Sequence, residues 1–155
     1  MPESQLYKTA LSKAMALCSR IEYCSGDIRK KLQAWDVSSE DENKIINALV
    51  KENFINEERY SKAFVRDKFR HNRWGRIKIA AHLKSKGLGS EIIRIGLEEI
   101  DNNEYIRVIN SLITSHRKTT KSKNQYDLKG KLLRFGLSKG FESSILYELL
   151  NDLDD

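Results

Sequence analysis

Apolar residues recur at intervals of three and four along almost the whole chain, and this spacing constrains the fold more than any other feature. One such face is formed by Leu6, Ala10, Leu11, Ala14, Leu17, Cys18 and Ile21. The only proline is Pro2, so no helix interior loses a backbone donor to proline. Strand-like alternation is scarce. The sequence therefore predicts an all-α fold with nine helices.

Capping residues mark the predicted helix boundaries. Patterns typical of a capping box begin at Ser39 and Asp101, and Asn56 precedes two glutamates that suit the first turn of a helix. Gly87 and Gly140 follow apolar periodic segments, where a helix commonly ends in a left-handed residue. These signals predict both where helices begin and where they end.

The helices fall into three similar groups. The segments 84–88 and 137–141 form the same type of helix ending, 53 residues apart (88 to 141). Upstream, residues 27–32 align with 78–83. A period of about 50 residues is typical of stacked supersecondary units, although short amphipathic helices also resemble one another by chance. The predicted three-helix repeats are residues 1–54, 55–100 and 101–155, the last with a basic loop at 117–124.

Positive charge is concentrated in two segments. The chain of 155 residues has 28 Lys and Arg against 22 Asp and Glu, a net charge of +6. Residues 59–86 contain 10 basic and 1 acidic side chain (+9), and residues 117–139 contain 8 and 1 (+7). The other segments are acidic. Two separate basic segments favour an extended polyanionic partner.

The first basic segment contains a one-sided stripe. Arg59, Lys62, Arg66, Arg70 and Arg73 fall within about 80° on one helix face. A solvated face usually mixes charge signs, and like charges at this spacing repel, so the stripe favours a binding surface. We call the whole group the first basic set: Arg59, Lys62, Arg66, Arg70, Arg73, Arg76, Lys78, Lys84 and Lys86. Trp74, within it, either packs a helix corner or stacks on a base.

The second basic segment is polar, and residues 116–124 are predicted to be a loop that contacts phosphates without reading sequence. A solvated loop without a ligand is the alternative. The second basic set comprises Lys118, Lys121, Lys123, Lys129, Lys131 and Arg134.

Few residues are of the types that act in catalysis or bind metal ions. His71, His82 and His116 are scattered, and Cys18 and Cys24 are the only cysteines. None of them has partners at metal-ligand spacing. We therefore expect no catalytic, cofactor-binding or metal-binding residues. No segment has the length and apolarity of a membrane span, and no secretory signal is predicted, so we expect a cytoplasmic protein that does not contact membranes.

Several of these motifs resemble the RecX regulators of RecA. The similarity lies in residues 55–61, in Gly75-Arg76 and in residues 83–88. Residues 17–24, 27–32 and 139–141 agree with it, so the resemblance covers roughly residues 8–150. The chain departs from the family pattern at Glu57, Ser61 and Cys24, where the family usually has Asp, Ala and Ser; Ser25 is expected to replace the cap lost at Cys24, or the cap is weaker.

The resemblance implies three tandem three-helix modules stacked into an elongated, curved, solenoid-like protein. It also implies a non-enzymatic, monomeric regulator of homologous recombination, DNA repair and the SOS response. Such a protein lies in the groove of the RecA–DNA filament and suppresses ATP hydrolysis, strand exchange and coprotease activity. The expected partners are the RecA filament and single- and double-stranded DNA, both basic sets contacting either of them.

An autonomous DNA- or RNA-binding module of helix-turn-helix type is the alternative function. A three-helix unit is compatible with it. No cluster of Asn, Gln and Arg suited to reading base edges lies at one predicted helix N-terminus, which disfavours this alternative.

Overall fold

The computed structural model describes residues 4–152, and within that range it contains nine α-helices and no strand. This confirms the all-α prediction. The helices are α1 Gln5–Arg20, α2 Ser25–Ala34, α3 Ser39–Lys51, α4 Glu57–Asn72, α5 Arg76–Ser85, α6 Ser90–Leu97, α7 Asn102–Thr119, α8 Gln125–Ser138 and α9 Ser143–Asp152.

The helices form two compact units. The first unit comprises residues 4–63 together with Lys84–Gly96, and the second comprises Phe64–Leu83 and residues 97–152. In the first unit α3 packs against α1 and α2, and in the second α8 packs against α7 and α9. The predicted middle triplet, α4 to α6, is shared between the two units. The division into three repeats stays a prediction.

The core of the first unit is built from the apolar faces of its helices. Ile28 and Leu32 of α2 are completely buried, as is Ile45 of α3. These residues follow the three- and four-residue spacing of an amphipathic helix, so the sequence pattern and the buried face coincide. The other buried residues of this core are Tyr7, Ala10, Ala14, Val37, Ile46, Leu49 and Ile55.

The second unit is centred on an aromatic group. Tyr105 and Phe141 are completely buried, and their rings meet edge to face with centroids 5.8 Å apart. The Phe69 ring lies at the same centroid distance from Tyr105, 5.8 Å, in a tilted arrangement. At Gly136 of α8 a Cβ atom would lie 2.5 Å from a methyl of Leu146, so the absence of a side chain lets α9 approach α8 closely.

Most of the predicted caps are confirmed. The Asp101 side chain accepts from the amide of Glu104, and the Asn56 side chain accepts from that of Arg59. The prediction at Ser39 was wrong by one residue. Ser38 has extended backbone angles and its hydroxyl accepts from the amide of Asp41, whereas Ser39 is already helical.

The start of α2 also differs from the expectation. Its N-cap is Cys24, whose side chain makes no capping hydrogen bond. Ser25 does not replace that cap with its hydroxyl; instead its amide donates to the carboxylate of Glu57, at 3.5 Å. An acceptor from a distant segment therefore serves this helix terminus.

Three helix ends share a left-handed residue at matching positions. Gly87 (φ 89°) and Gly140 (φ 93°) confirm the predicted endings, and Asp36 (φ 61°) occupies the corresponding place after α2. The amides of Val37 and Phe141 then bond back to carbonyls five residues earlier. This is the hydrogen-bond pattern of the Schellman motif.

Candidate functional site

In the first unit, three members of the first basic set already pair with carboxylates. The guanidinium of Arg59 lies 2.6 Å from Glu22 and also donates to two carbonyls of the loop before α4. Lys62 lies 3.3 Å from Glu58, and Lys86 lies 2.9 Å from Asp27. The ion pairs of Arg59 and Lys86 connect neighbouring segments within the first unit. Lys84 is exposed and pairs with no carboxylate in residues 4–152.

The Asp27 carboxyl is tuned by its surroundings. Burial disfavours its ionisation, but the hydrogen bonds from Lys86 and Cys24, together with the charge of Lys86, outweigh burial and hold the pKa of Asp27 below its ordinary value. The neighbouring thiol of Cys24 is completely buried, and burial raises its pKa. Cys24 is therefore a structural residue and not a reactive thiol.

In the second unit, Arg66 and Arg76 are paired as well. Arg66 lies 2.6 Å from Glu99. Arg76 lies 3.0 Å from Glu142, and its guanidinium covers the Tyr105 ring at 4.0 Å from the centroid. The Tyr105 hydroxyl accepts from the backbone amide of Arg76 and donates to Glu142. Burial and this carboxylate raise the pKa of Tyr105. The group fixes the start of α5.

In the same unit, four cations lie at the Trp74 ring or at its flanking backbone. We name Lys68, Arg73, Trp74, Lys78 and Lys139 the Trp74 cluster. The ammonium groups of Lys68 and Lys78 lie 5.2 and 4.7 Å from the centroid of the Trp74 ring. Lys139 donates to the carbonyl of the residue before Arg73, at 2.9 Å. Trp74 itself is half-buried.

Two short backbone hydrogen bonds bring the parts of the cluster together. The amide of Gly75 donates to the carbonyl of Lys139 at 2.7 Å, and the amide of Ile77 donates to that of Gly140 at 3.0 Å. The junction between α4 and α5 therefore lies directly on the end of α8. Burial, together with the charges of Lys78 and Arg73, lowers the pKa of Lys139.

The sequence reasoning did not include Lys68 or Lys139 among the candidate residues. By helical spacing Lys68 falls away from the basic stripe, on the side of α4 that faces the core, so its position gives no signal of a binding role. Lys139 had an available signal, because Lys139-Gly140 repeats Lys86-Gly87 at the matching helix end. Of the predicted set, the structure places Arg73 and Lys78 in the cluster, while Arg70 is exposed nearby on α4.

The second basic set lies on and around a loop that is shorter than predicted. Residues 116–119 continue α7 to Thr119, so the loop spans only residues 120–124, and the prediction of a loop from 116 was wrong. His116, Arg117 and Lys118 occupy the last turn, where positive charge is favourable beside the free carbonyls. The His116 ring also stacks on Phe135 with centroids 3.8 Å apart.

The loop is fixed by hydrogen bonds at both ends. The Thr120 hydroxyl donates to the carbonyl of His116, and the Lys131 ammonium donates to that of Lys121 at 2.6 Å. The Lys123 amide donates to Asp127, which also lies 3.3 Å from the Lys131 ammonium. The side chains left exposed on this surface are those of Lys118, Lys121, Lys123 and Arg134, while Lys129 is half-buried.

Neither a metal-ligand cluster nor a membrane-spanning helix occurs in residues 4–152. No group of three or more His, Cys, Asp or Glu side chains is arranged to hold a metal ion. None of the helices in this range has the length and apolarity that crossing a bilayer requires.

Comparison with known proteins identifies relatives along the whole chain. The family model described as the second three-helix domain of RecX matches residues 56–97. The regulatory protein RecX of Clostridium beijerinckii is 28% identical over 162 residues, covering 100% of this chain and 75% of the relative.

Solved structures agree with the sequence matches. The crystal structure of RecX from Lactobacillus salivarius superposes with a TM-score of 0.81 at 21% identity, covering 96% of this chain and 97% of that one. A second crystal structure of regulatory protein RecX gives a TM-score of 0.86 at 24% identity, covering 95% and 72%. Fold and sequence thus confirm the resemblance to the RecX regulatory proteins, and the sequence similarity extends along the whole chain.

Proposed function

We propose that this protein is a non-enzymatic regulator that binds the groove of the RecA–DNA filament. By restraining the filament it inhibits the ATPase, strand-exchange and coprotease activities of RecA, and so regulates homologous recombination, DNA repair and the SOS response. Its partners are RecA and single- and double-stranded DNA, and it acts in the cytoplasm as a monomer. Similarity to the RecX regulatory proteins supports this proposal.

The main support for the proposal is a group of exposed basic side chains that form no ion pair with a carboxylate in the described residues. Arg70, Arg73 and Lys84 are exposed and have no carboxylate partner in the described part of the chain, and the same holds for Lys118 and Lys121. A filament of protein and DNA presents carboxylates and phosphates along its length, and both bind such side chains. The paired members, such as Arg59 in the first unit and Arg76 in the second, contribute chiefly by fixing the local structure of their own units.

The test is the RecA ATPase on single-stranded DNA, titrated with this protein below equimolar amounts. We expect inhibition by the unmodified chain. Arg70→Glu with Lys84→Glu should raise the concentration for half-inhibition at least tenfold. The matched control is Lys30→Glu with Lys51→Glu, which changes the net charge equally at two exposed lysines of α2 and α3. Equal inhibition by both double variants would refute the proposed role of Arg70 and Lys84 in binding.

A binding isotherm separates this function from that of a sequence-reading helix-turn-helix module. A filament-groove protein should bind random and selected DNA with similar affinity and with a steep dependence on salt, because phosphate contacts release counterions. Strong preference for one sequence would contradict the proposal.

A further inference from the structure

We propose that the Trp74 cluster binds the phosphate backbone of a single nucleic-acid strand and that Trp74 stacks on one of its bases. This inference rests on the proposed function in that the filament DNA would supply the strand. The proposed function does not say which basic residues contact DNA and which contact RecA. This inference goes further because it assigns the DNA contact to named residues. Four observations support it.

The first observation is the charge imbalance of the cluster. Lys68, Arg73, Lys78 and Lys139 lie around one ring or its flanking backbone. The single carboxylate that pairs with any of them in residues 4–152 is Asp67, 3.8 Å from Lys68, and Asp67 also binds His71 at 2.8 Å. Such a concentration of like charge is unfavourable without an anion. A phosphate diester supplies one negative charge per nucleotide.

The second observation is backbone strain at Arg73. Its φ of 55° lies in the left-handed region, which is unfavourable for most residues by about 1 kcal/mol. The other non-glycine residues with positive φ in residues 4–152 are Asp36 and Asn53, which are types that tolerate this conformation. A glycine at position 73 would relieve the strain but remove a cation from the cluster. Strain that persists beside a charged cluster is typical of a binding site.

The third observation concerns Lys139. Its ammonium group is anchored on the carbonyl of Asn72 at 2.9 Å, so it is held in place before any ligand arrives. Partial burial, together with the nearby charges of Lys78 and Arg73, lowers the pKa of Lys139. A bound phosphate would relieve this repulsion and needs no rearrangement of the anchor.

The fourth observation selects a nucleic acid over an acidic protein surface. Lys68 and Lys78 cover the Trp74 ring, and an exposed cation–π contact contributes only about 0.5–1 kcal/mol. The His82 ring also contacts Trp74, with centroids 4.5 Å apart. When the two ammonium groups turn to phosphates, the part of the ring that His82 does not cover becomes available to an unpaired base. Basic side chains around an aromatic ring are the usual composition of single-strand sites. An acidic protein surface would bind the cations without any stacking contact to the Trp74 ring.

The experiment uses the full chain with Trp35→Phe, which leaves Trp74 as the sole tryptophan of the two. Its fluorescence and the dissociation constant are followed during titration with an oligothymidine, at several salt concentrations and without RecA. We expect quenching on binding. Lys78→Gln with Lys139→Gln should weaken binding at least tenfold and reduce the salt slope by about 1.4, since each single-strand phosphate contact contributes about 0.7.

Two further variants show whether weaker binding is caused by loss of folding or by the change in net charge. Arg73→Gly should be at least as stable as the unmodified chain and yet bind the oligonucleotide more weakly. Lys30→Gln with Lys51→Gln removes the same charge elsewhere and should change affinity no more than about twofold. An affinity and salt slope equal to those of this control in both cluster variants would overturn the proposal.

RecA assays of the same variants separate the two proposals. If the cluster variants lose inhibition of the RecA ATPase while oligonucleotide binding is unchanged, the cluster contacts acidic protein surface and the inference is wrong. If the unmodified chain binds the oligonucleotide through the cluster but does not inhibit RecA, the site is supported and the proposed function fails.

Discussion

Gly75 and Gly140 meet backbone to backbone in the second unit. A Cβ atom on Gly75 would lie 2.3 Å from the carbonyl carbon and oxygen of Gly140, and one on Gly140 would lie 2.3 Å from the Cβ of Lys78. No side chain can occupy this contact without moving a backbone segment. The two glycines therefore set the distance between the start of α5 and the end of α8, and with it the position of Lys139 beside Lys78.

Replacing Gly75 with alanine should destabilise the protein by about 3 kcal/mol, because the added methyl overlaps backbone atoms that cannot turn aside. The measurement is urea unfolding followed by circular dichroism. Gly130→Ala is the matched control, since its methyl would meet only the flexible Arg134 side chain at 3.4 Å in the interior of α8. That variant should be stabilised by about 0.5–1 kcal/mol. Equal stability of the two variants would contradict the close contact.

Gly96→Ala should also destabilise the protein, by about 2 kcal/mol, since its methyl would lie 2.0 Å from the hydroxyl oxygen of the buried Ser61. Ser61→Ala alone should cost about 1 kcal/mol, because the hydroxyl donates to the carbonyl of Ile92 at 2.9 Å. In the double variant the worst overlap is absent. A double-mutant cycle should therefore show a favourable coupling of about 1 kcal/mol, and strictly additive changes would speak against the contact.

Tyr105→Phe should reduce the free energy of unfolding by about 2 kcal/mol. The change removes the acceptor of the Arg76 amide and the donor to Glu142 inside a buried group. Tyr147→Phe is the control, since Tyr147 is 55% exposed, and it should leave stability unchanged. If chemical denaturation gives the same midpoint for both variants, the hydroxyl of Tyr105 does not hold the start of α5.

The stability of the protein should depend on Asp27 in a defined pH range. Because the pKa of Asp27 is lower in the folded chain than its ordinary value of 3.8, the ionised carboxylate stabilises the fold above about pH 4. That contribution is lost as the pH falls through the folded-state pKa. The difference in unfolding free energy between the unmodified chain and Asp27→Asn should therefore shrink on acidification below pH 4.

The partner of Asp27 provides the control for this pH dependence. Lys86→Gln should move the Asp27 pKa back toward its ordinary value and weaken the acid dependence, since Lys86 supplies one of the hydrogen bonds and the positive charge. Lys84→Gln, at an exposed lysine two positions away, should leave the pH profile unchanged. A profile altered equally by both substitutions would show that total charge, and not the ion pair, is responsible.

Helices and most of their caps could be predicted because they depend on residues a few positions apart. The left-handed ends at Gly87 and Gly140 are local patterns, and both occur in the structure. The apolar faces are largely buried as well, but Leu6 and Ile21, at the two ends of the first predicted face, are exposed. The cap at Ser38 was missed because two adjacent serines satisfy the same pattern. The end of α7 was misplaced because polar, basic residues suit a loop and a last helical turn equally well.

The candidate site could be predicted only in part, because its geometry depends on contacts between distant residues. In the local sequence of α4 the stripe consists only of positively charged residues. In the fold, however, Glu22, 37 residues before Arg59, neutralises that arginine. Lys139 likewise joins the Trp74 cluster only because Gly75 and Gly140 touch. Neither of these long-range contacts leaves a periodic pattern in the sequence. The charge distribution therefore identified the two basic sets but not which of their residues lack a carboxylate partner.

The short loop at residues 120–124 has a consequence for the energetics of binding. Its ends are held by the Thr120 hydroxyl, by the Lys131 ammonium on the carbonyl of Lys121, and by the Asn124 side chain that caps α8. A free loop would lose conformational entropy on contact with a polyanion, by about 1–2 kcal/mol for each residue ordered. Here that loss has largely occurred during folding, so an anion that meets Lys121 and Lys123 would find them preorganised.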